Sequence, residues 1–156
     1  MPQARLNLLV IKVRDAMTRG VDTIEQKKNG LEAARAMRRK RRGCLVVVDG
    51  GKLVGIVTER DLVRKIVANN RDPEKIKILG VMSKPLLTIE AEASLRDAAQ
   101  KMVQNRIRRL PVTEGGKLVG MLTTTDLAKE LSEEGLWKEF EKAIIRAGEY
   151  GGYPYA

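Results

Sequence analysis

Two short segments of this chain carry residue types that could hold a small anionic ligand. Gly55-Ile56-Val57-Thr58-Glu59-Arg60-Asp61 and Gly120-Met121-Leu122-Thr123-Thr124-Thr125-Asp126 share the pattern Gly, two apolar residues, Thr, two variable residues, Asp. A carboxylate three residues after a threonine, just before an apolar run, can act as a capping box that satisfies free N–H groups at a helix start. That account is sufficient for an isolated copy. The same geometry also suits a ligand, because a helix N-terminus presents backbone donors and the positive end of a dipole to a phosphate. A carboxylate there can accept both hydroxyls of a ribose. The preceding glycine, lacking a side chain, would leave room for a flat base against the strand. On these residues alone both readings stand.

The remaining reactive groups narrow the chemistry. Cys44 is the single cysteine and the chain has no histidine. A thiol without a base is better read as a small buried hydrophobe than as a nucleophile. The same absence removes Ser-His-Asp catalysis and histidine metal sites, and no CxxC, Walker loop or HExxH occurs. Apart from Asp61 and Asp126 no general base suggests itself, so a non-enzymatic role is expected. Arg108-Arg109 supply two guanidinium forks that match phosphate geometry, or else a solvated loop pair. Arg35, Arg38, Arg39 and Arg42 recur at helical spacing, extended by Lys40 and Arg41. They read as an ordinary solvated helix face, or alternatively as a nucleic-acid or polyphosphate surface.

The elements that position these groups come in two sets. Gly51 to Leu62 returns 65 residues later as Gly116 to Leu127, with eight of twelve positions identical. The offset holds outward, matching Ile11-Lys12-Val13 to Ile76-Lys77-Ile78 and Met37 to Met102. Such a period is an internal repeat. The predicted units are 11–75 and 76–131, followed by a helical segment 132–147, carrying Trp137 and Phe140, and a loosely held tail 148–156. Strands are predicted at 6–13, around Val21 to Ile24, at Cys44 to Val48 and at Lys52 to Val57. Asp49-Gly50-Gly51 is a hairpin turn. Helices are predicted over 30–41, with Leu31, Ala34 and Met37 inward, and from Thr58 to Ala68. The second copy repeats the order with helix 94–105, Leu95, Ala98, Ala99 and Met102 inward, and strands at Leu110 to Thr113 and Lys117 to Leu122. Each unit reads strand, helix, strand, strand, helix, an α+β fold.

Composition sets the outer limits. The chain has 43% apolar and 32% charged residues, as a soluble globular protein does. No apolar run approaches the ~18 residues of a membrane span. Residues 1–13 lack the apolar core and cleavage site of a signal peptide, and one cysteine suits a reducing compartment, so a cytoplasmic location is expected. A net charge of +10 implies an anionic partner, while five aromatic residues argue against a stacking platform for single strands. Abundant Lys, Arg and Glu would also suit a thermophile's surface.

The duplicated unit resembles the cystathionine-β-synthase (CBS) domain, and the tandem resembles a CBS pair, or Bateman module. The matching stretches are Val13 to Thr18, Val81-Met82-Ser83, Arg109-Leu110-Pro111-Val112 and the two Gly-to-Asp segments, across about residues 11–131. Cys44-Leu45-Val46-Val47 departs from the basic residue, Leu and Pro-Val that the family often carries. The resemblance implies β-α-β-β-α repeats related by a pseudo-two-fold axis, a homodimer, and reversible binding of AMP, ADP, ATP or S-adenosylmethionine with no catalytic cofactor. One implied cleft uses Thr58 and Asp61 with Pro85, Leu86, Ile107, Arg108 and Arg109. The other uses Thr123 and Asp126 with Thr18, Val21, Gly43 and Cys44. The first, with two arginines, is expected to bind the phosphorylated nucleotide more tightly. No effector domain is recognisable, so the regulated target would be another molecule. A nucleic-acid-binding role for Arg35 to Arg42 is the alternative.

Overall fold

A computed structural model describes residues 10–131. The helical segment at 132–147, with Trp137 and Phe140, and the tail at 148–156 lie outside the described residues. Among the described residues there are two three-stranded sheets, each built the same way. In the first, β1 (Thr23–Glu25) runs parallel to β2 (Cys44–Asp49), which pairs antiparallel with β3 (Lys52–Thr58). In the second, β4 (Ile89–Glu90), β5 (Arg109–Glu114) and β6 (Lys117–Thr123) repeat that order. Parallel neighbours need a crossover, and helices α2 (Gly30–Lys40) and α4 (Leu95–Asn105) provide it. Each β-hairpin closes through two glycines at positive φ, +55° and +86° at Gly50 and Gly51. That backbone suits the twist of the flanking strands.

Local chemistry explains the helix limits. Asn29 accepts the Glu32 N–H and the Glu32 carboxylate accepts the Asn29 N–H, closing a capping box on α2. The Asn29 N–H and then the Lys28 side chain hold the Glu32 carboxyl below its ordinary value. Both crossover helices end on an arginine in the left-handed region, Arg41 at φ 53° and Arg106 at φ 55°. Helix α3 (Glu59–Lys65) is shorter than the predicted run to Ala68. Ile66 leaves helical geometry at φ −111° and a 3-10 turn, Val67–Asn69, leads to Asn70 at φ 50°. Asparagine tolerates that conformation well.

The buried face of α2 is Gly30, Ala33 and Met37, not Leu31, Ala34 and Met37. Ala34 is exposed and Leu31 half-buried. Leu31 and Met37 are six residues apart, which puts them on different sides of a helix, whereas steps of three and four keep one stripe inward. On α4, Leu95, Ala98 and Met102 are buried as predicted, with Ala99 half-buried.

The opening segment also differs from expectation. Its described part is no strand but a short helix, α1 (Val13–Ala16), with a single bridge from Lys12 to Ser94. The Val13 and Arg14 N–H groups donate to the Ala93 and Ala91 carbonyls, so the backbone is satisfied by a loop.

The chain separates into two compact units whose limits are not those of the repeats. One unit is Val21–Leu87; the other combines the segment before Val21 with the chain from Thr88 onward. The leader of each repeat therefore belongs to the body of the other. In the first unit Ile78, Val81 and Met82 enter the core formed by Ala33, Met37, Leu45, Val47, Val57, Leu62 and Ile66. In the second, Val13 is fully buried, α1 packs on β6 and on α5 (Thr124–Leu131), and Leu95, Leu110, Leu122 and Leu127 are buried.

Candidate functional site

Each Thr-x-x-Asp segment sits where a β-hairpin ends and a helix begins. The Asp61 Oδ2 accepts the Thr58 N–H at 3.0 Å and the Thr58 hydroxyl at 3.0 Å, while the Asp61 N–H returns to Thr58 Oγ1 at 3.1 Å. Asp126 and Thr123 repeat this at 2.8, 2.9 and 3.2 Å. The capping account is thus correct for both copies. It uses one carboxylate oxygen and leaves the other for a second task.

That second oxygen distinguishes the copies. Asp61 is 6% exposed, and its Oδ1 pairs with Lys65 Nζ at 2.9 Å, one turn along the helix. Lys65 also donates to the Val81 carbonyl, which ties the pair to the leader segment. The residue equivalent to Lys65 is Glu130. Asp126 is half-buried, and among the described residues no lysine or arginine pairs with it. Asp61 is therefore a largely satisfied structural carboxylate, and Asp126 is the better placed to accept a ligand's hydroxyls.

The basic pair belongs with Asp126. Arg109 lies opposite Thr123 in the hairpin register, and the Arg108 carbonyl accepts the Thr124 N–H at 3.0 Å. Both arginines are half-buried, as is Ile107. Thr18 is exposed and bridges Met121 on the outer edge of β6. Thr18, Ile107, Arg108, Arg109, Thr123 and Asp126 are therefore residues of one unit. Thr58, Asp61, Val21, Gly43, Cys44, Pro85 and Leu86 are residues of the other. Cys44 is buried opposite Thr58, and the Gly43 carbonyl accepts the Glu59 N–H. Pro85 is exposed and Leu86 half-buried, beyond the bridge from Ser83 to Ile56.

The glycines do not serve as expected. A Cβ on Gly55 would lie 2.6 Å from the Ser83 carbonyl oxygen and 3.0 Å from Met82 Sδ. One on Gly120 would lie 2.5 Å from Met17 Sδ and 2.9 Å from the Thr18 carbonyl oxygen. The space above each glycine is filled by a leader segment, so no base can lie there. The repeated Met17 and Met82, matched at the same offset, were the signal in the sequence for this contact.

The sequence and the fold have counterparts in known proteins. The family described as the CBS domain matches residues 13–68 and 78–133. The chain belongs to the CBS-domain family. It is 37% identical over 123 residues to the CBS domain-containing protein YhcV of Bacillus subtilis, covering 78% of this chain and 87% of that protein. It is 32% identical to hypoxic response protein 1 of Mycobacterium tuberculosis, covering 84% of this chain and 92% of that one. A match at 34% identity to the protein MK0525 of Methanopyrus kandleri spans only 61% of that longer chain. Among solved structures, the CBS-domain protein TA0289 of Thermoplasma acidophilum shares the fold at a TM-score of 0.78 and 24% identity, over 92% of this chain and 79% of that one. A hexameric CBS-CP12 protein from bloom-forming cyanobacteria superposes at a TM-score of 0.71 and 28% identity, over 90% of this chain and 85% of that one. CBS-domain proteins are generally regulatory ligand-binding modules, and the CBS-CP12 protein is hexameric. Among the described residues of this CBS-domain chain no helix is long and apolar enough to cross a membrane.

Proposed function

We propose that this CBS-domain chain binds an adenine nucleotide reversibly, at the face carrying Asp126, Thr123, Arg108 and Arg109, and acts as a regulatory module on a separate target without catalysing a reaction. The observation that carries this reading is the contrast between the carboxylates. Asp61 is buried against Lys65, whereas Asp126 keeps an oxygen for a ligand and shares its unit with two guanidinium groups. In this reading Asp126 accepts the ribose hydroxyls and the arginines face phosphate, with AMP, ADP, ATP and S-adenosylmethionine as the candidates. The tighter site is then that of Asp126 rather than that of Asp61. A homodimer belongs to the proposal: Val63 and Val67, four residues apart, expose apolar surface that a second copy can cover.

Calorimetric titration with those four ligands and adenosine tests the proposal. Asp126→Asn is expected to weaken binding about tenfold or more, since a charge-assisted hydrogen bond is lost, while Asp61→Asn changes it by less than about twofold. Arg109→Ala is expected to weaken AMP or ATP far more than adenosine. Binding that is indifferent to Asp126 and sensitive to Asp61 reverses the assignment, and no heat with any ligand ends it.

A further inference from the structure

We propose that the basic end of helix α2 is a docking surface for the sugar-phosphate backbone of a nucleic-acid duplex, independent of the nucleotide site. The charge of this chain is unevenly placed. Residues 21–87 hold 16 of its 30 Lys and Arg but 8 of its 20 acidic residues, so +8 of the +10 net charge lies in that unit. Within it, Arg35, Arg38, Arg39 and Arg41 are all exposed at the end of α2. At a rise of about 1.5 Å per residue they span roughly 9 Å, which is two to three phosphate spacings of about 3.4 Å along the duplex axis.

The acidic side chains nearest in sequence are already engaged. Glu32 is held by Lys28 and by the Asn29 N–H. Asp22 pairs with Lys40 and Arg42. Those ion pairs leave the other four guanidinium groups as the free positive edge of the helix.

The second repeat supplies an internal control. Helix α4 has the same length and the same left-handed end, yet Gln100, Val103 and Gln104 occupy the places of Arg35, Arg38 and Arg39. The fold therefore does not require arginine at these positions. Their chemistry selects the partner. Guanidinium forks match phosphate oxygens, and none of the large exposed apolar side chains lies on α2, so the stripe has nothing to insert into a lipid surface. Among the described residues no aromatic side chain accompanies the stripe to stack unpaired bases, so the probe of choice is a duplex rather than a single strand.

Fluorescence anisotropy of the full chain with a labelled random-sequence 20-base-pair duplex, over a series of salt concentrations, tests the proposal. Four phosphate contacts predict a slope of log affinity against log salt of roughly −3 to −4, at about −0.9 per contact. The triple variant Arg35→Gln, Arg38→Gln, Arg39→Gln is expected to lose about tenfold or more in affinity and to flatten the slope by about 2.7. A second triple variant, Lys27→Gln, Lys52→Gln, Lys75→Gln, removes equal charge from exposed sites of the same unit and is expected to bind almost as wild type does. Equal losses in the two variants, no duplex binding near 50 mM salt, or tighter binding to phosphatidylserine vesicles or polyglutamate than to duplex would each overturn it. A melting temperature matched to wild type shows that the arginine variant is folded.

Discussion

At the scale of single residues, Gly55 and Gly120 show how one sequence signal can carry two meanings. A glycine before a ligand-binding turn suggests space for a base, yet here it admits a methionine and a carbonyl from a distant segment. The expected outcome of Gly120→Ala is therefore loss of stability. A Cβ in contact with the Met17 sulfur and the Thr18 carbonyl must push the leader away, costing about 1–3 kcal/mol as overpacking does. Thermal unfolding measures this, and an unchanged melting temperature would mean the leader does not rest on Gly120. The two aspartates teach a related lesson. Their equivalence was legible from the repeat, but their difference depends on Lys65 against Glu130, four residues downstream and outside the motif. Reading the flanking turn of the helix would have separated them.

At the scale of elements, most of the order was legible because local chemistry and tertiary packing agree. The hairpins were marked by paired glycines and the crossover helices by polar caps, Asn29 and Ser94, before apolar stripes. What escaped was the placement of the leaders, because Ile76, Ile78 and Val81 read as the start of a new repeat while their packing lies with the preceding one. Sequence periodicity records ancestry; core membership depends on which surfaces meet. This yields a test with fragments. Residues 21–87, cut at the limits of the compact unit, are expected to fold cooperatively, because the fragment retains Ile78, Val81 and Met82. Residues 11–75, cut at the repeat, lack those three buried side chains and should remain largely unfolded as a monomer, at concentrations too low for two copies to pair, since each lost burial removes about 1.5–3 kcal/mol from a domain of marginal size. Circular dichroism during urea titration compares them, and equal stability would contradict the assigned core.

At the scale of the whole molecule, net charge points to an anionic partner without locating a surface for it; the fold assigns most of that charge to one of two otherwise similar units. The reciprocal loan of leaders has a consequence of its own. A polypeptide holding one repeat alone, such as residues 76–131, has a leader whose mate is another copy's body. Two such molecules can complete each other by trading leaders, and the fragment is expected to sediment as a concentration-dependent pair. Tandem duplication then turns a bimolecular trade into an intramolecular one, with the missing piece supplied at millimolar local abundance on the order of a short tether. Which end of the chain shelters which body is the arrangement that joining the two members of a swapped pair end to end would produce.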